Sequence, residues 1–446
     1  MKMHKNFMQL LEDKKYQQLK DLLINMEPAD IAVHFSELSE RHRAIMFRLL
    51  PKESAAEVFV ELEPDMQEAL IIGFSDNELK EIVDELYVDD AVDIIEEMPA
   101  NVVSRILRHA DTEMRRDINQ MLRYPPDSAG SIMTTEYVNL RKDMTVEDAF
   151  THIRRKGTDK ETIYTCYVTD NNRILEGLVT VKDLLLNDYA CTLEEIMETN
   201  VIYVNTTDDQ EYAAQLFEKY DFIAIPVVDK EKRLVGIITV DDAIDVITEE
   251  ATEDIEKMAA IIPSDKPYLR TGVLEIFRQR IPWLLLMMLS ATFTQNIISH
   301  YESAFLAYGI LTSFIPMLMG TGGNSGSQSS VTIIRSLSLG DITFRDTLKV
   351  MFKELRVAIL CGVTLGIVNF AKLAFIDRAG IDISIIVSSA LVGTVLFAKL
   401  VGCSLPMLAK KLHLDPAVMA SPFITTIVDA ISLVIYFDIA TRILNI

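Results

Sequence analysis

Pro316-Met317-Leu318-Met319-Gly320-Thr321-Gly322-Gly323-Asn324-Ser325-Gly326-Ser327-Gln328 lies at the centre of an uncharged run from Ser303 to Thr332 that is long enough to cross a bilayer. Four glycines and a proline within this stretch predict a helix broken at membrane depth. Lipid cannot satisfy freed N–H and C=O groups, so interrupted backbone at that depth must be buried in protein or line a water-filled cavity. The stretch therefore reads as the wall of a pore or substrate site, with Gly320, Thr321, Gly322, Gly323 and Asn324 lining it. Downstream, the apolar segment from Pro416 to Phe437 carries Asp429. A carboxylate inside a span is costly enough to mark function.

Working outward, apolar segments of roughly 20 residues, the length a bilayer demands, predict a transmembrane domain of five helical spans over residues 273–446. They are Ile281–Ser299, the glycine-rich run, Val357–Phe375, Ile383–Ala409 with Lys399 inside, and Ala417–Leu444. Arg278 and Arg280, the group Arg335, Arg345, Lys349, Lys353 and Arg356, and the pair Lys410 and Lys411 mark the cytosolic side by the positive-inside rule. The N-terminus is then expected in the cytosol, with the chain a multi-pass protein of the plasma (inner) membrane.

Charge divides the 446 residues unevenly. The net is −23; from Val273 onward there are 13 Lys and Arg against 10 Asp and Glu, which leaves 30 against 56 in residues 1–272, a net of −26. An acidic front of this density repels nucleic acid and suits a cation partner. Cys166, Cys191, Cys361 and Cys403 have neither disulfide-framework nor zinc spacing, as expected of a reducing compartment.

Met26, Leu38, Leu50, Leu62, Phe74, Leu86, Met98, Ala110 and Leu122 stand twelve apart. The period predicts an all-α superhelix of short helices over residues 1–127, stacked so that neighbours share one core. Its acids include Glu57, Asp89, Asp90 and Asp93, with Asp89 and Asp93 on one helical face. After Pro125-Pro126, segments 128–195 and 196–248 echo one another. Ile132-Met133 answers Ile196-Met197, and Gly177-Leu178-Val179-Thr180-Val181-Lys182-Asp183 answers Gly236-Ile237-Ile238-Thr239-Val240-Asp241-Asp242. The repeated pattern resembles a tandem α/β pair of cystathionine-β-synthase (CBS) domains, in which the Thr and Asp often contact adenosine ribose and phosphate. That resemblance implies Lys182 and Asp183 as nucleotide contacts.

The second unit leads into a connecting helix, assigned with its linker to residues 243–272, whose acidic stripe joins Asp242, Asp245, Glu249, Glu253 and Glu256, flanked by Glu250 and Asp254. Like charges four apart destabilise a helix unless neutralised, and hard oxygen ligands suit magnesium or calcium. Magnesium keeps several waters when bound, so a path for it needs a field and acceptors for water protons more than a cage. Asp429, the Asn324 side chain and carbonyls of the broken segment would supply them. One carboxylate becomes a pair if the chain is a homodimer with its path on the two-fold axis.

The order of superhelix, CBS pair, acidic helix and five spans, with Pro316 to Gln328 and Asp415-Pro416…Pro422…Asp429, resembles MgtE-type magnesium channels over essentially the whole chain. The resemblance implies a non-enzymatic, homodimeric magnesium channel that closes when cytosolic magnesium is plentiful. It implies Asp429 as the pore carboxylate and Asp415 as the membrane-side acid facing the connecting helix. The implied sensor acids are Glu57, Asp89, Asp93, Asp209, Glu211, Asp221, Asp242, Asp245, Glu250, Glu253 and Asp254, with ATP as a candidate modulator. Ser421 stands where relatives carry Asn before Pro422 and would line the pore in its place. Two rivals stay open: an alternating-access carrier of cobalt or manganese, and a membrane-anchored adenine-nucleotide sensor.

Overall fold

The computed structural model describes residues 7, 9–36, 38–264, 268–269, 271–301, 308–419 and 421–444. It separates into two compact units, residues 1–247 and 248–446.

The first unit begins with helices α1 (Tyr16–Leu23), α2 (Pro28–Ser36), α3 (Glu40–Phe47), α4 (Lys52–Val60), α5 (Pro64–Gly73), α6 (Asp76–Val83), α7 (Val88–Glu97), α8 (Ala100–His109) and α9 (Thr112–Met121). Each starts twelve residues after the one before it, so the hydrophobic period and the helical period coincide. Helices this short are unstable alone and depend on their neighbours. Phe35, Phe47 and Phe59, also twelve apart, meet edge to face at centroid distances of 6.2 and 6.1 Å, and Phe74 joins Phe47 at 5.2 Å. The carbonyls left open at the helix ends are met by side chains: Arg43 Nε donates to Phe35 O at 2.7 Å, Gln67 Nε2 to Phe59 O at 2.9 Å and Arg105 Nη2 to Phe74 O at 2.6 Å.

The CBS pair follows as two three-stranded sheets, β1 (Tyr137–Leu140), β2 (Thr162–Thr169) and β3 (Leu175–Thr180), then β4 (Val204–Asn205), β5 (Ala224–Val228) and β6 (Leu234–Thr239). In each sheet the first pairing is parallel and the second antiparallel. Helices α10 (Val146–Lys156), α11 (Val181–Leu186), α12 (Leu193–Ile196) and α13 (Gln210–Tyr220) accompany them. The Ile-Met openings are exchanged between halves: Thr134 bridges to Ile237 and Glu198 to Leu178. A Cβ on Gly236 would stand 2.7 Å from Met133 Sδ, and one on Gly177 2.8 Å from Met197 Sδ. Helix α14 (Val240–Met258) follows directly from β6.

The second unit contains α15 (Val273–His300), α16 (Ile315–Ser338), α17 (Thr347–Ala371), α18 (Ile381–Lys411) and α19 (Ser421–Leu444). Among the described residues, four segments are long and apolar enough to cross a membrane: Val273–His300, Phe344–Ile376, Ile381–Lys411 and Ala417–Leu444. The fifth expected span, α16, has 24 residues but falls outside that group, because its glycines, serines, Asn324 and Gln328 dilute its hydropathy.

The glycine-rich stretch also departs from the expectation of a break. Helix α16 runs unbroken through it, with Pro316 in the first turn, where no hydrogen bond is lost. Residues 302–307, around the start of the sequence run at Ser303, lie outside the described residues. The glycines serve close packing. A Cβ on Gly322 would lie 2.7 Å from Thr394 Cγ2 and 2.8 Å from Val428 Cγ1, and one on Gly326 would lie 2.6 Å from Ile424 Cγ2. Small residues let membrane helices approach until backbones nearly touch, which offsets a helical cost of about 1 kcal/mol per glycine.

Candidate functional site

Two acidic sites emerge, one in each unit. In the first, α7 carries Asp89 into a buried position, 8% exposed, where its Oδ1 has no hydrogen-bond partner among the described residues. Glu161, on the turn that opens β2, likewise holds a buried Oε2 without a partner among the described residues. Asp90, Asp242 and Glu136 face the same cluster. Asp242 is held there because the Thr239 hydroxyl donates to its Oδ2 at 2.6 Å, capping α14. Burial, reinforced by these neighbouring carboxylates, drives Asp89 well above the usual carboxylate range and pushes Asp90 up to about 7 and Glu161 up to about 8. Burial and Asp241 raise Asp242 to about 6 against the opposing Thr239 hydrogen bond.

Among the described residues no three His, Cys, Asp or Glu side chains converge tightly enough to ligate one metal ion. The orphaned oxygens of Asp89 and Glu161 instead leave a cluster of carboxyls whose charge, once ionised, calls for compensation by protons or by a cation. A pH dependence follows. These carboxyls titrate higher in the folded protein than in the unfolded chain, so the folded state holds extra protons between about pH 4 and pH 8, and stability falls as pH rises through that window. Each unit of displacement is worth about 1.4 kcal/mol before screening. Thermal unfolding of the full chain in detergent, without divalent ions, is expected to show lower stability at pH 8 than at pH 6. Magnesium should restore more of it at pH 8, whereas stability climbing with pH would contradict the placement of these acids.

In the second unit, Asp429 sits half-buried on α19 and makes no hydrogen bond or ion pair with another described residue. Val428 and Thr425, beside it on the same helix, are the residues that meet Gly322 and Gly323 of α16. Gly320, Asn324 and Gln328, four apart on α16, are exposed and form an uncharged polar stripe. Lys399, 5% exposed on α18, is engaged elsewhere: it donates to Ser329 Oγ at 3.3 Å, and the Ser329 hydroxyl donates to Glu354 at 2.6 Å. Lys399, the one basic residue inside α18 ahead of its last turn, is thus already engaged. Of the expected pore lining, Gly320 and Asn324 are exposed and Thr321 is half-buried. Gly322 and Gly323 are buried against α18 and α19, and helical hydrogen bonding occupies the carbonyls of this segment. The side chain of Ser421 lies outside the described residues.

At the C-terminal end of α14, Lys257 bridges Glu253 Oε1 and Asp415 Oδ2, each at 2.6 Å. Asp415 Oδ1 accepts from Ala417 N–H at 2.7 Å, anchoring the turn before α19.

Residues 26–127 match the intracellular N domain of MgtE, 129–188 and 193–249 the CBS domain, and 315–439 the MgtE divalent cation transporter family. The magnesium transporter MgtE of Thermus thermophilus is 38% identical over 439 residues, covering 98% of this chain and 97% of that protein. The chain belongs to the MgtE family of magnesium transporters. The Bacillus subtilis MgtE is 32% identical over 436 residues, covering 98% and 96%. Among solved structures, the cytosolic domain of the Mg2+ channel MgtE in complex with ATP matches at 38% identity and a TM-score of 0.52, covering 55% of this chain and 99% of that one. The soluble part of a magnesium transporter matches at 30% and 0.53, covering 56% and 98%. The chain is therefore a multi-pass membrane protein of a transporter family, with an N-terminal MgtE domain and a CBS pair.

The MgtE-like acids named from sequence are dispersed in the fold. Asp89 and Asp242 come together. Glu57 and Asp93 are exposed on α4 and α7, and Asp245 is exposed on α14. Asp209 caps the start of α13 by accepting Glu211 N–H at 2.8 Å, while Asp221 closes the other end of the helix in a left-handed conformation, away from that pair. Glu250, Glu253 and Asp254 follow on the last turns of α14. Asp183 accepts from Thr180 N–H at 2.9 Å and from the Thr180 hydroxyl, so the Thr-x-x-Asp motif acts first as a capping box, beside exposed Lys182. Sequence reasoning missed Glu136, Glu161 and Lys257. Lys257 stands four after Glu253, a visible helix pair, but Asp415 lies too far along the chain for pattern to connect it.

Proposed function

We propose that the protein is a magnesium-selective channel that admits Mg2+ across the plasma membrane and closes when cytosolic Mg2+ binds its acidic front. The observation that carries this reading is Asp429, an intramembrane carboxylate with no partner among the described residues, beside a helix crossing made tight by glycine. A hydrated Mg2+ loses little water to such a site, while Asn324 and Gln328 offer acceptors for its water protons. Two chains bring two such acids to one axis, and α15, none of whose residues is fully buried within one chain, leaves surface for lipid and for a second copy. The N-terminal unit then lies in the cytosol, in keeping with the basic loops.

Closure follows from electrostatics. Without divalent ions the acids around Asp89 and Asp242 repel or hold protons; Mg2+ supplies the missing charge and stabilises the arrangement in which they meet. Glu57, Asp93, Asp209, Glu211, Asp221, Asp245, Glu250 and Asp254 add weaker sites to the same equilibrium, while Glu253 and Asp415 are held by Lys257. A shift from 1:99 to 99:1 takes about 5.5 kcal/mol of differential binding, within reach of several ions. ATP is a modulator bound through Lys182 and Asp183, supported by the likeness to the ATP-bound cytosolic domain.

The test is magnesium uptake into liposomes by the wild type and by Asp89→Asn combined with Asp242→Asn, with magnesium varied on the side of the acidic unit. Asparagine keeps the helix cap and removes the charge. The double variant should need about tenfold more magnesium to close, and an unchanged closing concentration would refute the sensor role of this cluster.

A further inference from the structure

We infer that Lys257 is the positioning residue of the gate: a cation built into α14 that holds Asp415, and through it the turn leading into α19, so that closure at this junction needs no ion of its own. The inference rests on the function proposed above. Lys257 touches both Glu253 and Asp415 at 2.6 Å and is only 22% exposed. Burial draws its ammonium down, but the hydrogen bonds to Asp415 and Glu253 outweigh that and leave its pKa raised, so it is charged at any physiological pH. With one oxygen on Lys257 and the other on Ala417 N–H, Asp415 has both oxygens engaged.

The surroundings fix the same segment independently. Met258, the next residue, packs against Ile334 of α16 and Ala417. Ser264 N–H donates to Glu256 Oε2 at 3.0 Å, and Ile262 N–H donates to Gln279 O of α15 at 3.1 Å. The end of α14 is thereby fastened to three parts of the membrane domain, and Lys257 supplies the charged fastening nearest to α19, which carries Asp429. A divalent ion that entered between Glu253 and Asp415 would have to expel this ammonium first. Ion sensing then belongs to acids without such a partner, above all Asp89.

The experiment measures magnesium uptake by the full chain in liposomes as magnesium is raised on the side of the acidic unit, for the wild type, Lys257→Gln and Lys257→Arg. Lys257→Gln should keep the maximal rate and raise the half-closing concentration by about fivefold, the scale of a partly buried ion pair. Lys257→Arg, whose fork reaches both carboxylates, should return it towards the wild type. A half-closing concentration unchanged or lowered in Lys257→Gln overturns the inference, since lowering would mean that the lysine competes with an ion for the pair. An Arg variant no better than Gln also overturns it, because a specific cation bridge would then not be what matters. A wild type that magnesium never closes instead defeats the proposed function, and the two failures are distinguishable.

Discussion

Asp429→Ala is expected to reduce magnesium uptake about a hundredfold with the protein still folded and inserted. A unit charge about 4 Å away contributes about 4 kcal/mol at an effective dielectric of 20. The water shell of Mg2+ lengthens that distance and its double charge compensates, so a loss of about 3 kcal/mol, or about a hundredfold, is the natural scale. The side chain has no partner among the described residues, so its removal orphans no donor and exacts little in stability. Asp429→Asn, which preserves shape, should fail nearly as badly, and Asp429→Glu should retain part of the flux. Uptake by Asp429→Asn at the wild-type rate would show that the charge is not what the ion meets.

The second large effect concerns packing. A Cβ on Gly402 of α18 would meet the carbonyl of Gly326 on α16, a backbone atom that cannot swing aside. Gly402→Ala therefore has to force the two helices apart at the crossing that also presents Ile424 and Val428 of α19. A cost of about 3 kcal/mol or more is expected for such overpacking, enough to lower the yield of folded protein sharply. Gly320→Ala is the contrast: nothing lies within 4 Å of its Cβ, so it should fold as well as the wild type or gain up to about 1 kcal/mol from helix propensity. Melting temperatures of the two variants in detergent check the pair. Equal destabilisation would mean that the glycines serve the backbone itself rather than the approach of neighbours.

The contrast also marks where the sequence could be read. The twelve-residue period gave the superhelix, because one turn and one short helix repeat with a single buried position that hydropathy exposes directly. The doubled Gly-h-h-Thr-x-x-Asp pattern gave the CBS pair for the same reason. The glycine-rich stretch misled, since propensity counts what each glycine costs a helix and cannot see Thr394, Val428 or Ile424 arriving from other helices to use the space. Asp429 was legible because a carboxylate in an apolar run stands out wherever its neighbours lie. Asp89 was found among many acids, but the carboxylates around it include Glu136 and Glu161 from the CBS pair, which look like ordinary surface glutamates in sequence. The Lys257 to Asp415 contact joins residues 158 apart, and no local pattern reports it.

Current through single copies of the purified protein in planar bilayers, with magnesium raised on the side of the acidic unit, tests the central claim most directly. Unitary magnesium currents whose open time shrinks as magnesium rises, lost in Asp429→Ala and less readily closed in the Asp89→Asn, Asp242→Asn variant, are the expected result. Saturating flux without unitary steps, or steps indifferent to magnesium on that side, would contradict it.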